Sequence, residues 1–191
     1  KKTGGYTLAF TDHEAELLQE RMRLKAEAGA PIELVSNSVL REAEPQLADR
    51  VVAASYCAED GYSNSSLTGQ FYRARLKEQG VQYREGFKVL GVEACNDGYV
   101  IRSANTTVRA RKLLLSAGAW LKSLAALMDV DLPVQARINT VSVTQRLPML
   151  TRSVIGHATG LLTMKQKANG TLLIGGGWQG RGTPEQGRGQ V

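Results

Sequence analysis

The sequence contains no long apolar run. No stretch approaches the roughly 18 consecutive apolar residues that a membrane-spanning helix needs. The residues that follow positions 1–5 are not the apolar stretch of a signal peptide either. We therefore expect no transmembrane segment and a cytoplasmic location, with peripheral attachment to a membrane left open. The chain also begins without Met, which is consistent with a fragment that starts inside a longer protein.

Cysteine and histidine are both scarce. Cys57 and Cys95 lack the close Cys-x-x-Cys or Cys/His spacing of a metal or redox site, so we interpret them as reduced thiols. His13 and His157 have no clustered carboxylates or thiolates around them, and we expect no metal site. Neither a G-x-S-x-G nucleophile elbow nor a Walker loop is present. These patterns therefore identify no catalytic residue.

Aromatic residues make up only 6% of the chain, although its formal net charge is +6. A basic excess can attract nucleic acid or a membrane surface. The basic residues are scattered, however, at spacings typical of a solvated helix face, as at Arg21, Arg23 and Lys25. Since a nucleic-acid interface needs a basic patch with interleaved aromatic side chains, we expect no nucleic-acid partner.

Hydrophobic periodicity predicts a mixture of helices and strands. It indicates helices over residues 13–28, 38–47 and 64–80, and a further helix that ends near residue 128. It indicates strands over residues 7–10, 32–35, 51–57, 81–84, 89–94, 99–103, 107–110 and 112–116, and β-rich stretches over 134–147, 160–167 and 171–175. We place His157 in a loop and expect the glycine-rich residues from Gly176 onward to be mobile.

A strand-turn-helix signal at residues 113–121 is the first candidate ligand site. The apolar strand runs into Ser116, Ala117 and Gly118, whose small side chains let a ligand approach the backbone at the carboxyl end of a sheet. Tight packing of strand against helix is an equally good explanation. The predicted helix at residues 64–80 and the strands after it also suit a nucleotide-binding sheet, or an ordinary core.

Residues 175–180 satisfy the G-x-G-x-x-G spacing of a dinucleotide fingerprint. That motif functions only where a helix begins, because the helix amides must meet the pyrophosphate. Here Arg181, Gly182, Thr183 and Pro184 follow, and no acidic residue lies some 20 positions further on. We therefore reject this motif as a dinucleotide-binding site.

Several segments, in the same order along the chain, resemble the glycine oxidase, sarcosine oxidase (β-subunit type) and D-amino-acid dehydrogenase family of FAD-dependent oxidoreductases. The matching segments are Ala58-Glu59-Asp60-Gly61 with Asn64, Gln79-Gly80-Val81 with Val89, residues 113–125, Leu132-Pro133-Val134 and residues 170–177. The residues at Met164-Lys165-Gln166 and at Gly175 to Trp178 are most similar to β-subunit-type members that act on opines, hydroxyproline or sarcosine. Ser65 stands where the family usually has Pro, and Arg137-Ile138-Asn139 replaces a frequent R-G-Q.

The resemblance implies a fold of mixed α/β and α+β class. Residues 58–131 would form part of a Rossmann-like FAD-binding domain, interleaved with a mixed β-sheet substrate domain built from residues 1–57 and 132–191. The implied cofactor-binding residues are Val89, Ser116, Ala117, Gly118 and Trp120. The implied substrate-pocket residues are Asn64, Arg137, His157 and Lys165.

The resemblance also implies an activity. The intact protein would oxidise the C–N bond of a D-amino acid, glycine, sarcosine, hydroxyproline or an opine with hydride transfer to FAD, and it could work with a partner subunit. The family's amino-terminal G-x-G-x-x-G and its carboxyl-terminal segment lie outside this chain, so the fragment by itself should bind FAD weakly or not at all and be inactive. The alternative is a non-catalytic partner-binding module with the same fold and no flavin.

Overall fold

A computed structural model of the chain describes residues 1–186, and its secondary structure is mixed. In chain order the elements are β1 (Gly5–Ala9), α1 (Asp12–Glu27), β2 (Ile32–Val35), α2 (Asn37–Ala43), β3 (Ala53–Cys57), α3 (Ser65–Glu78), β4 (Gly91–Cys95), β5 (Gly98–Arg102), β6 (Thr107–Ala110), α4 (Leu121–Ala126), β7 (Ile138–Arg146), β8 (Val154–His157), β9 (Thr163–Gln166) and β10 (Thr171–Gly180). Short 3-10 helices lie at Gly118–Trp120 and Pro184–Gln186.

The chain divides into two compact units that are interleaved in sequence. The first unit contains Lys1–Ser65 and Asn139–Gln179, and the second contains Ser66–Ile138 and the described residues from Gly180 to Gln186. The first unit is built on a seven-stranded sheet with the order β2-β3-β1-β8-β9-β10-β7. Strands β1 and β8 run parallel, whereas β1 and β3, β2 and β3, β8 and β9, and β9 and β10 are antiparallel. The mixed sheet predicted from the sequence is therefore confirmed.

Helix α1 begins at Asp12, one residue before the start that the sequence predicts. The Thr11 side chain accepts a hydrogen bond from the Glu14 backbone N–H, and Asp12 and Glu14 place acidic groups in the first turn. Both features stabilise a helix amino terminus. Leu18 is buried on one face of α1, where it packs with Ala9 and Ala158 of the sheet unit.

A larger core cluster fills the space between the sheet and α2. It contains Tyr6, Leu8, Val35, Leu40, Val51, Ala54 and Ile155. Most of these side chains come from alternate positions of β1 and β3 or from α2, so one strand face and one helix are buried together.

Buried Gln166 fixes the connection between β7 and β8. Its Oε1 accepts hydrogen bonds from the N–H groups of Leu150 and Thr151 at 2.6 and 3.2 Å. Its Nε2 donates to the carbonyls of Pro148 and Gly170 at 2.8 and 3.1 Å. The amide thus uses two acceptor and two donor positions, which is the full capacity of a glutamine side chain.

The second unit contains α3, α4 and a three-stranded antiparallel sheet with the order β4-β5-β6. Strands β5 and β6 form an antiparallel hairpin from the segments 99–103 and 107–110, which the sequence predicts as strands. No residue of α3 is buried, although the sequence places Leu67, Phe71 and Leu76 on one apolar face.

Two predicted strands of the second unit do not form. Residues 81–84 and 112–116 contain no assigned strand, and the Leu114 side chain is 86% exposed. A strand exists only through hydrogen bonds to a neighbouring strand, and neither segment has such a neighbour within residues 1–186. The apolar pattern of these segments therefore indicates a buried environment that the described chain does not provide.

Two expectations about the carboxyl-terminal part were wrong. Residues 154–157 form strand β8, so His157 ends a strand and does not lie in a loop. Residues 176–180 continue β10, although their glycines predicted a mobile tail. Pairing with β9 over Leu172–Gly175 starts this strand despite the glycines. The rest of the predicted tail, residues 187–191, lies outside the described residues. None of the helices in residues 1–186 is long and apolar enough to cross a bilayer.

Candidate functional site

A cavity of about 250 Å³ lies in the first unit, on the surface of the large sheet. It is lined by Gly61, Tyr62, Val141, Val154, Thr163, Met164, Lys165, Leu173 and Gly175. Most of these side chains are apolar, and Lys165 is the one charged residue among them. A concave, mainly apolar surface with a single polar or charged anchor is typical of sites for small organic ligands.

Strand register explains why most of the strand residues of this cavity share one face of the sheet, whereas Met164 packs against the core cluster on the other face. Thr163 pairs with Gly156 on one side and with Gly175 on the other, so the three point in the same direction. Lys165 and Val154 lie two residues from Thr163 and Gly156, and successive side chains of a strand alternate between faces. The same alternation directs His157 to the opposite face.

Tyr62 reaches the cavity because its segment is held along the start of the chain. Lys2 forms an ion pair with Glu59 at 2.8 Å. The Asp60 carbonyl accepts hydrogen bonds from the N–H groups of Thr3 and Gly4, and the Tyr62 N–H donates to the Lys1 carbonyl. The Glu59-Asp60-Gly61 turn therefore continues into a docked segment that carries an aromatic ring.

The ammonium group of Lys165 faces the ring of Tyr62, with its Nζ 5.2 Å from the ring centroid. This geometry is a cation-π interaction. The Lys165 side chain is half-buried, and no carboxylate among the described side chains forms an ion pair with it within 4.0 Å. A cation in this position can bind an anionic group of a ligand.

Gly175 and Thr163 line the cavity from adjacent strands. Gly175 is buried, and a Cβ atom at this position would lie 3.4 Å from the Cγ2 of Val141 and 3.9 Å from the Oγ1 of Thr163. A side chain at position 175 would therefore fill part of the cavity. The Thr163 hydroxyl donates a hydrogen bond to the Gly175 carbonyl at 3.4 Å, so the hydroxyl oxygen can still accept a hydrogen bond from a ligand.

A second cavity of about 280 Å³ lies between the end of α2 and residues 149–152. Its buried carboxylate, Glu44, accepts hydrogen bonds from the N–H of Ser153 at 3.0 Å and from the N–H of Arg152 at 3.3 Å. This carboxylate already binds two backbone donors and so has a structural role, which makes the cavity at Lys165 the stronger candidate.

The structure separates the predicted substrate-pocket residues. Lys165 lines the cavity, whereas Asn64 and His157 do not. Arg137 belongs to the second unit, immediately before β7. Tyr62, Thr163 and Gly175 line the cavity but were absent from the sequence-based set. Tyr62 follows the Glu-Asp-Gly turn directly, and Thr163 lies two residues from Lys165, so strand alternation could have identified Thr163.

His157 takes part in a different cluster, at the end of β1. Its ring stacks on Phe10 with 5.2 Å between centroids, and its Nδ1 accepts hydrogen bonds from the N–H groups of Thr159 and Gly160 at 3.2 and 2.8 Å. Its Nε2 lies 3.6 Å from the Oε1 of Glu14. The cluster joins α1 to the loop after β8.

Glu14 is the centre of this cluster, and its side chain is only 16% exposed. Its carboxylate accepts hydrogen bonds from the Phe10 N–H at 2.7 Å and from the Thr159 hydroxyl at 2.8 Å. The bond from Phe10, followed by the bond from Thr159, lowers the pKa of Glu14 below its ordinary value of 4.5, and the nearby His157 imidazole acts in the same direction.

We expect Glu14 to make the stability of the protein depend on pH in the acid range. A carboxyl group with a lowered pKa in the folded state stabilises the fold above its unfolded pKa, and this contribution is lost as pH falls through the folded pKa. The variant E14Q should therefore be less stable than the parent at pH 7. The difference should shrink below pH 4.5, since 4.5 is the ordinary pKa.

Thermal unfolding of the parent and of E14Q between pH 7 and pH 3 checks this expectation. The control is E16Q, which changes a carboxylate of the same helix whose side chain is 79% exposed. A difference between E14Q and the parent that is constant with pH, or that E16Q reproduces, would contradict the role given to Glu14.

The predicted cofactor-binding residues lie in the second unit. Gly118 has a φ of 55°, a left-handed conformation that favours glycine, and no heavy atom lies within 4 Å of the position that a Cβ would occupy. The Trp120 N–H donates to the Ala117 carbonyl at 3.1 Å, and the Trp120 side chain is 52% exposed. This small-residue turn leaves backbone open to close approach by a ligand, which fits a dinucleotide.

Comparisons with known proteins agree on one family. The model of the FAD dependent oxidoreductase family, DAO, matches residues 1–190. The B subunit of opine oxidase from Rhizobium meliloti is 25% identical over 183 residues, which is 92% of this chain and 47% of the relative. Glycine oxidase of Geobacillus kaustophilus is 25% identical over 170 residues, which is 88% of this chain and 45% of the relative. The chain thus spans about half the length of the relatives it matches.

Solved structures show the same fold. Glycine oxidase from Geobacillus kaustophilus superposes with a TM-score of 0.82 at 21% identity, over 97% of this chain and 51% of that one. L-proline dehydrogenase from P. horikoshii gives a TM-score of 0.83 at 19% identity, over 94% of this chain and 50% of that one. Since the family model matches nearly every residue, the chain belongs to the FAD dependent oxidoreductase (DAO) family, whose cofactor is FAD.

Proposed function

We propose that the protein to which this chain belongs oxidises the C–N bond of a small amino acid or secondary amine, and that this chain supplies one wall of the substrate pocket. The observation that carries the proposal is the cavity on the large sheet, lined by apolar side chains and by Lys165 and Tyr62. Family membership supplies the oxidoreductase class. The names of the relatives, opine oxidase and glycine oxidase, support an amine or amino-acid substrate.

When bound, FAD supplies the oxidation chemistry: the C–H bond beside the nitrogen breaks, two electrons leave as hydride to the flavin, and the nitrogen loses a proton to give an imine that water hydrolyses. The residues of this chain orient the substrate and exclude water. Val141, Val154 and Leu173 cover the substrate's carbon atoms. Lys165 and the Thr163 hydroxyl bind its polar groups. Holding a substrate in one orientation raises the rate because less freedom is lost at the reaction step.

The cofactor-binding role of the second unit is part of the proposal. Ser116, Ala117 and Gly118 would hold the dinucleotide through backbone groups, Val89 would contact the adenine portion through its backbone, and Trp120 would pack beside it. The open turn at Gly118 supports this assignment. The role of Asn64, Arg137 and His157 in the substrate pocket remains a prediction from the sequence.

We also propose that this chain is the interior part of a longer protein. It covers about half of each relative, and apolar side chains such as Phe71, Val81 and Leu114 are exposed in the second unit. Additional strands beside residues 81–84 and 112–116 would give these segments hydrogen-bond partners, and the completed parallel sheet would offer a surface against which such side chains pack. Both opine oxidase relatives are named as one lettered subunit of their enzyme, which supports a partner polypeptide for this protein.

The test is the visible absorption spectrum of the purified longer protein, followed by a substrate screen. We expect the absorption bands of oxidised flavin, and bleaching of those bands by at least one of glycine, sarcosine, D-amino acids, hydroxyproline or opines under anaerobic conditions. Co-purification with a second polypeptide would support the partner subunit. A colourless protein that takes up no added FAD would favour a non-catalytic module with this fold and would overturn the proposal.

A further inference from the structure

The turn between β8 and β9, residues 158–162, has little apolar packing to hold it. Ala158 is buried, and its N–H donates to the Leu8 carbonyl at 2.8 Å. The four residues that follow Ala158 are all exposed, and the side chains of Leu161 and Leu162 are 67% and 41% exposed. Burial therefore does not fix the conformation of this turn beyond its first residue, and polar contacts have to do so.

His157 supplies such contacts from the last position of β8. Its Nδ1 accepts hydrogen bonds from the N–H groups of Thr159 and Gly160 at 3.2 and 2.8 Å. Its own backbone N–H donates to the Leu162 carbonyl at 3.2 Å. A Cβ at position 160 would lie 3.2 Å from two atoms of the imidazole, so the ring lies directly against the turn. The residue that ends the strand therefore also closes the turn.

These contacts fix the position of the imidazole proton. A backbone N–H group can only donate, so Nδ1 carries no hydrogen, and the proton of neutral His157 lies on Nε2. Nε2 lies 3.6 Å from the Oε1 of Glu14. The Thr159 hydroxyl donates to the same oxygen at 2.8 Å, so its hydrogen is not directed to Nδ1. The neutral ring with its proton on Nε2 is the form that matches these neighbours.

The other charged groups of the cluster keep their charge in the pH range in which histidine titrates. From α1, Glu14 faces His157, and the hydrogen bond from the Phe10 N–H, followed by that from Thr159, lowers the pKa of Glu14 below 4.5. From the segment before β3, Arg50 lies over the Phe10 ring that stacks on His157. Histidine is the side chain whose charge ordinarily changes between about pH 5 and 8. His157 is therefore the group of this cluster that changes charge in that range.

We propose that His157 is a positioning residue that holds the β8–β9 turn only while its imidazole is neutral, and that a second proton on the ring releases the turn. The added proton would occupy Nδ1 and face the two N–H groups that donate to it in the neutral state. Either the ring or the turn must then move, and the amides of Thr159 and Gly160 lose their acceptor in both cases. This inference concerns the turn and goes beyond the proposed function.

Release of the turn reaches the cavity through the backbone. Leu162 is followed directly by Thr163, which lines the cavity. The Leu161 carbonyl lies close against Gly176, which follows the cavity residue Gly175. The turn thus sets the backbone position of two lining residues from adjacent strands. The cavity wall should consequently be held at neutral pH and loosened in mildly acidic solution.

The first experiment detects the tautomer directly, by two-bond correlation of hydrogen and nitrogen NMR signals in the purified longer protein with nitrogen-labelled histidine. The variant H157N identifies the signals of His157. At about pH 8, above the ordinary titration range of histidine, we expect a protonated Nε2 and an unprotonated Nδ1. A proton on Nδ1 at this pH, alone or together with one on Nε2, would overturn the proposal.

The second experiment measures hydrogen exchange of the turn amides between about pH 8 and pH 5. Results are expressed as protection factors, which remove the intrinsic pH dependence of exchange. As pH falls, we expect the protection of the Thr159 and Gly160 amides to decrease by about 10-fold, because each loses one hydrogen bond. The midpoint should equal that of the His157 NMR signals, and the amides of α1 should stay protected. A flat profile, a different midpoint or an equal loss in α1 would contradict a local release controlled by His157.

Two substitutions separate the acceptor atom from the ring. H157N keeps a side-chain oxygen that can accept hydrogen bonds from nearby N–H groups and does not titrate, so the turn should stay protected throughout the pH range. H157F keeps a ring against Phe10 but has no acceptor, so the turn should be released at every pH. The matched control is H13N, which changes a histidine whose side chain is 78% exposed and should follow the parent. Protection in H157F equal to the parent, or acid release that persists in H157N, would overturn the proposal.

Kinetics separate this inference from the proposed function. With an amine that the longer protein oxidises, KM should rise in acid with the His157 midpoint in the parent but not in H157N, whereas kcat should change less. A KM that ignores this midpoint while the turn opens would overturn the link from the turn to the cavity. If no amine is oxidised, only the proposed function fails, because the tautomer and exchange measurements still decide the role of His157.

Discussion

Replacing Gly176 with alanine should destabilise the protein by about 3 kcal/mol or more, the largest effect that we expect from a single methyl group. Gly176 lies within β10 with a φ of 88°, a left-handed backbone conformation that residues other than glycine rarely adopt. A Cβ at this position would also collide with the Leu161 carbonyl oxygen. Because that obstacle is backbone, no side-chain rotation can relieve it.

Gly175→Ala is the matched control, one residue earlier in the same strand. The backbone of Gly175 is not left-handed, and its added Cβ would meet the Val141 side chain at 3.4 Å, which is ordinary contact. We expect G175A to cost less than about 1 kcal/mol. Urea unfolding of both variants measures the difference. Equal midpoints for G176A and G175A would show that the backbone at position 176 is not constrained as described.

Replacing Leu18 with alanine should lower the free energy of unfolding by about 2–5 kcal/mol. Leu18 is 1% exposed and lies with Ala9 and Ala158 at the contact between α1 and the large sheet. The substitution leaves a cavity that the small neighbouring side chains cannot fill, so both the transfer of apolar surface and the lost contacts contribute.

Leu17→Ala provides the comparison for Leu18. Leu17 precedes it in the same helix but is 44% exposed, and the two substitutions have identical helix propensity effects. We expect L17A to cost less than about 1 kcal/mol in denaturant unfolding. If L17A and L18A lowered the free energy of unfolding equally, this would contradict the orientation of α1 in which Leu18 faces the sheet and Leu17 faces solvent.

The sequence alone was sufficient to predict those elements whose structure depends on residues that are neighbours along the chain. Helix α1 follows from its apolar period, and strands β5 and β6 follow from two short strand patterns that lie close together in the sequence. Strand β2 has the predicted bounds. The family was also predicted correctly, because its signature at residues 113–125 is a contiguous sequence motif.

Long-range pairing explains where the sequence was insufficient. Strand β8 is a four-residue segment that contains Gly156, and it forms because β1 and β9 donate and accept its hydrogen bonds. Conversely, residues 81–84 and 112–116 have strand-like patterns but no strand beside them within residues 1–186. The pattern reports a preference for burial, and only a neighbour converts that preference into a strand.

The sequence by itself determined the family, the mixed fold class and the identity of Lys165 as a residue of interest. The tertiary structure decided which residues accompany Lys165. Tyr62 and Gly175 are distant from each other in the sequence and meet at the cavity because the Glu59-Asp60-Gly61 turn docks along the first residues and β10 pairs with β9. The alternation of β8 then directs His157 away from the cavity. Each of these placements depends on the partner strand and its register, which local sequence does not encode.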